Sequence, residues 1–73
     1  MLFKNDARHW EMEDGRELHS GSVVEVLLYG QWRPARVEYF HDERAYFLYL
    51  FDQGEVVGFL LITENTQIRF PER

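Results

Sequence analysis

Apolar and polar residues alternate along most of this chain in short runs, and turn-forming residues separate the runs. A period of two marks extended strands with one covered face. From Ser22 to Tyr29, residues Val24, Val26 and Leu28 fall on one face, and Glu25 falls on the other between Val23 and Leu27. From Trp32 to Phe40, Ala35, Val37 and Tyr39 point inward, which leaves Arg36, Glu38 and Phe40 outward. Tyr46 to Phe51 is apolar on both faces, so both need cover. Glu55 to Ile62 follows, with Gly58 marking a bend or bulge. Gln67 to Phe70 is a last strand, stopped by Pro71. Ahead of these, residues 8–13 and Arg16 to His19 read as the two arms of a hairpin.

The connections carry their own signals. Asp14-Gly15 predicts a two-residue type I′ turn, and Gly30-Gln31 predicts a type II′ turn. Ser20-Gly21-Ser22 is a further turn, and His41 to Ala45 is a polar loop. Asp52-Gln53-Gly54 predicts a three-residue loop with its glycine left-handed. Thr63 to Thr66 is too short and polar for more than one helical turn. Pro34 lacks an N–H and belongs at a strand start or on an edge. The order predicts an all-β fold: a small SH3-like barrel of five to seven short antiparallel strands, with one short helical turn before the last strand. Barrel closure would also remove the unpaired edges of an open sheet. One domain spans 1–73, with an N-terminal arm and hairpin over 1–20 and the barrel over 22–70.

Composition narrows the function classes. A chain of 73 residues holds one domain, and without cysteine it has no disulfide staple. Dense apolar packing must then hold it together, and six Phe, four Tyr and two Trp suit that demand. The longest apolar run, Val56 to Ile62, is far short of the ~20 residues of a membrane helix. A cytoplasmic location is the expectation. Net charge is −5, with 13 acidic and 8 basic residues. Lys4 is the only lysine and no segment is a basic stripe, which disfavours bulk nucleic-acid binding through phosphates.

The central segment carries a recurrent pattern: Leu18-His19, Gly21, Glu25-Val26, Gly30, Trp32, Pro34, Arg36 and Glu38. With Trp10 upstream, it resembles a group of small uncharacterised bacterial proteins, often carried on mobile elements and classed as a domain of unknown function. The resemblance covers about residues 10–40. Where the group ends on an arginine, a hydrophobic residue and a second arginine, this chain has Gln67-Ile68-Arg69-Phe70. The resemblance implies an SH3-like fold and a phage or mobile-element origin, and it implies no activity.

Side-chain parity supplies the candidate site. Trp32, Arg36, Glu38 and Phe40 share the outward face of one strand, where Arg36 and Glu38 suit a cross-strand ion pair. If Tyr46, Leu48 and Leu50 fill the core, Phe47, Tyr49 and Phe51 are left on the other face. Val57, Phe59 and Leu61 form a similar surplus on the adjacent strand. Such rings must be covered, either by the N-terminal arm through Phe3 and Trp10 or by a second copy, or else form an interface. The candidate binding residues are therefore Trp32, Arg36, Glu38, Phe40, Phe47, Tyr49 and Phe59. No catalytic set and no cofactor are expected. Ser20, Ser22, Thr63 and Thr66 are explained by turn chemistry. Glu43 and Glu55 would pair only if their loops met. His9, His19 and His41 lie in separate segments, and His41-Asp42-Glu43 would diverge along a strand, so no metal site is expected. The reading is a non-catalytic protein-interaction module, with a homodimer as one form of it. One version is an acidic inhibitor of a host defence nuclease. The alternative is a small barrel binding single-stranded nucleic acid through Trp32, Arg33 and Arg36.

Overall fold

The computed structural model describes residues 2–5 and 8–71 of the chain. It is all-β. Among the described residues seven strands run in order: β1 (Phe3–Lys4), β2 (Trp10–Glu11), β3 (Val23–Leu28), β4 (Gln31–Phe40), β5 (Ala45–Asp52), β6 (Glu55–Leu61) and β7 (Ile68–Arg69). Every pairing is antiparallel. β1 and β2 form a small sheet, and the other five form a sheet in the order β6-β5-β4-β3-β7. β6 and β7 are its two margins and do not pair with each other, so the ladder does not close on itself as the expected barrel would.

The core lies where parity places it. Val24, Val26, Val37 and Leu48 are fully buried on one face of the large sheet, with Ala35 beside them. Leu2, Trp10 and Leu18 from the N-terminal region pack against this face, and Ile62 and Ile68 complete the cluster. Backbone hydrogen bonds fix the arrangement. Leu18 N–H donates to Trp10 O, and Gly21 N–H donates to Val37 O. The predicted cover of the surplus rings by the N-terminal arm is therefore corrected. Trp10 and Leu2 lie on the inner face, where aliphatic burial is greater, and leave the outer rings open.

Three turns differ from the expectations, each by one residue. Met12 N–H donates to Arg16 O and Gly15 N–H to Met12 O, so Glu13, Asp14 and Gly15 form a three-residue loop. Only Gly15 has positive φ there, at 90°. This is a type I turn closed by a left-handed residue, not a two-residue type I′ turn. The β3–β4 connection is Tyr29-Gly30, with φ of 51° and 78° and Leu28 paired with Gln31. Positive φ at both positions makes it type I′, one residue earlier than predicted. The β5–β6 connection is the two residues Gln53-Gly54, since Asp52 pairs with Glu55. Beyond it, Leu50 faces Gly58 while Phe51 faces Val56, so Val57 is the extra residue of a bulge beside Gly58. The segment before β7 is one hydrogen-bonded turn, Thr66 N–H to Thr63 O, braced by Thr63 N–H to Thr66 Oγ1. Pro34 lies inside β4 opposite Glu25, and not at its start.

Candidate functional site

The outer face of the large sheet is built by alternation. Side chains of Trp32, Pro34, Arg36, Glu38 and Phe40 leave β4 on the side opposite Ala35 and Val37. The ladder then sets Val23, Arg36, Tyr49 and Phe59 in one row across four strands, and Glu38, Phe47 and Leu61 in the next. All seven predicted binding residues are thus on one face.

The rings form a connected cluster. Phe40 stacks on Phe47 at 4.5 Å between centroids, and meets Tyr49 edge-on at 5.8 Å. Phe59 contacts Phe47 edge-on at 6.0 Å. These separations are those of favourable aromatic pairs. The rings half-cover one another but not the outermost positions. Phe59 is 63% exposed, and Val56 and Leu61 are about half exposed.

Two ion pairs cross the cluster's inner margin. Arg36 Nε lies 2.6 Å from Glu38 Oε2, along one strand and not between strands. The Arg36 guanidinium also sits over Tyr49 and Phe51, at 5.6 and 5.4 Å from their centroids. Arg69 repeats the device: Nε is 2.7 Å from Glu25 Oε1, and the guanidinium lies 4.2 Å from the Trp32 ring. Trp32 is half-buried and also lines an open groove with Leu2, Met12 and Ile68. Each arginine is balanced by its own carboxylate, so the face offers rings and neutral pairs rather than net positive charge. Arg33 lies on the opposite side of β4, facing Val26, and does not join Trp32 and Arg36. Glu43 and Glu55 stand at opposite ends of β5 and do not meet.

A second cluster was missed from the sequence. His9, Glu17 and His19 bring one ligand atom each within 4.8 Å of one another. Glu17 Oε2 is 3.5 Å from His9 Nδ1, and Glu17 Oε1 is 3.6 Å from His19 Nε2. Asn5 Nδ2 donates to the Glu17 carboxylate and to Glu11 Oε1, and Asn5 Oδ1 accepts the His9 N–H. The Asn5 hydrogen bond, with the two imidazoles, holds the Glu17 carboxyl below the usual glutamate value. Tyr46 meets the His9 ring edge-on, and its hydroxyl is pushed up by burial, then by Tyr39 and Glu17. The signal was the hairpin itself. Glu11 faces Glu17 across the three-residue loop, and this register sets position 9 opposite 19. The predicted two-residue loop slips the arms by one and separates the histidines.

A sequence family described as a domain of unknown function matches this chain over residues 1–68. Searches of curated proteins and of solved structures found no match.

Proposed function

The chain belongs to the DUF5348 family, a domain of unknown function, and on that premise we propose that it is a non-catalytic protein-interaction module whose contact surface is the outer aromatic face. The observation that carries this reading is the ring cluster of half-buried Phe40, Phe47 and Tyr49 with exposed Phe59, which is 63% open to solvent. An apolar patch of this kind on a small domain marks an interaction site. Aromatic and arginine side chains are also the types that dominate binding energy at interfaces. Charge supports a protein partner over nucleic acid, because Arg36 and Arg69 are already paired with Glu38 and Glu25. Glu25, Trp32, Pro34, Arg36 and Glu38 of the recurrent pattern all lie on this face. In the fuller form of the reading, the chain is an SH3-like accessory protein of a phage or mobile element, acting in a bacterial cytoplasm. Inhibition of a host defence nuclease is a narrower form, supported by the net charge of −5.

The test is site-specific photo-crosslinking in the native host, with the probe at Phe59 or, as control, at Arg33. A discrete protein adduct from position 59, absent from position 33 and lost in Phe47→Ser, is the expected result. An adduct at the mass of two chains would identify the partner as a second copy. Equal labelling from both positions, or none from 59, overturns the reading.

A further inference from the structure

The hairpin cluster has the chemistry of a metal site. Two imidazoles and one carboxylate form a donor set that suits zinc and its neighbours in the first transition row, while calcium and magnesium prefer oxygen alone. Bond lengths of ~2.0–2.1 Å to a tetrahedral zinc ion give ligand separations of about 3.4 Å. Glu17 Oε2 stands 3.5 Å from His9 Nδ1 and the other carboxylate oxygen, Oε1, 3.6 Å from His19 Nε2, so each imidazole already faces one oxygen at close to that separation. One donor atom from each of the three residues lies within 4.8 Å of the other two. His19 is exposed, and its ring meets the His9 ring edge-on at 5.5 Å.

The anchors of this cluster are firm. Trp10 and Leu18, the residues next to His9 and His19, are buried in the core and joined by the Leu18 N–H to Trp10 O bond. Asn5 orients both Glu17 and the His9 backbone. Such outer-shell bonds are what fix a ligand carboxylate in metal sites. An independent observation points the same way. His9 Nδ1 is buried and makes no hydrogen bond, and it faces the Glu17 carboxylate. A buried nitrogen without a hydrogen bond is costly, and a cation held between it and Glu17 would give it a partner.

We propose that His9, Glu17 and His19 form a binding site for a divalent transition-metal ion, zinc foremost, with Asn5 as the residue that orients the carboxylate. Three protein ligands leave a fourth position for water or for a group from a partner. The site would tie the residues before β2 to the return arm of the hairpin, and so stabilise the folded chain in proportion to metal concentration.

The experiment is calorimetric titration of the chelator-treated full chain with zinc chloride, repeated with cobalt(II) to read coordination from its visible absorption. One saturable equivalent is expected, with a cobalt spectrum of four-coordinate nitrogen and oxygen donors. Asn5→Ala should weaken binding by ~10–100-fold, as outer-shell losses do. His19→Ala and Glu17→Gln should weaken it further, and His41→Ala should leave it unchanged. Since His19 is exposed, its variant keeps the wild-type circular dichroism, which separates a lost ligand from a lost fold. Absence of saturable zinc binding overturns the proposal. So does binding retained in both His19→Ala and Glu17→Gln, or weakened equally by His41→Ala, which would mean adventitious surface-histidine binding only.

Discussion

The two faces of the large sheet are made by the same strands and differ in almost everything else. The inner face carries Val24, Val26, Ala35, Val37 and Leu48, all aliphatic and all closed to water. The outer face carries rings and ion pairs that lean on one another and stay partly wet. Small branched side chains fill a thin interior without voids, which is what a domain of this size needs to fold. Large flat rings on an open surface add little to folding for the area they bring. They are placed where a second surface would complete their burial. Stability is thus concentrated on one side of β4, and the surface proposed for recognition lies on the other, separated by a single backbone.

The sharpest test of this contrast is a pair of truncations. Leu48→Ala should cost ~2–5 kcal/mol, as buried leucines do, a large part of the roughly 4–11 kcal/mol that 73 residues are expected to hold. Phe59→Ala should stay within about 0.5 kcal/mol of wild type. Urea melts of both decide the matter, and equal losses would erase the distinction between the faces. Next in size is the coupling of Phe40 to Phe47, where a double-mutant cycle to leucine should return ~0.5–1.5 kcal/mol. The Arg36 and Glu38 cycle should give less, ~0.2–1 kcal/mol, and fall with added salt. The smallest effect lies on neither face. The lowered Glu17 carboxyl contributes stability at pH above the ordinary glutamate range, and that contribution is lost as pH falls through its depressed value. Glu17→Gln should therefore lower stability slightly in the neutral region of a profile measured without added metal, leave the acid end as it was, and so flatten the acid limb.

Much of this was legible in the residue order, and the reason is parity. Moving the β3–β4 turn one residue earlier shifts both arms together, so Val24 and Ala35 remain on the inner face. The β5–β6 loop is one residue shorter than predicted, which alone would turn β6 over. The bulge at Val57 restores the phase, and Tyr49 still meets Phe59. No such compensation exists at the first hairpin. There an extra loop residue changed which positions face each other, and the pairing of His9 with His19 was hidden. Which face the N-terminal arm covers was not legible either. Phe3 and Trp10 suit either side of the sheet by composition, and only the Leu18 and Gly21 backbone bonds decide.

The displaced residue in β6 has a consequence for growth in the other direction. β6 is an outermost strand, rich in exposed Val56, Val57, Phe59 and Leu61, and bare of charge after Glu55. Strands of that kind invite stacking of one molecule beside another into fibres. The kink at Val57 interrupts the row of amides on offer, so an incoming chain finds a straight template only on the Phe59 side. The same irregularity that keeps the rings in phase thus also breaks the straight run of backbone groups along this margin.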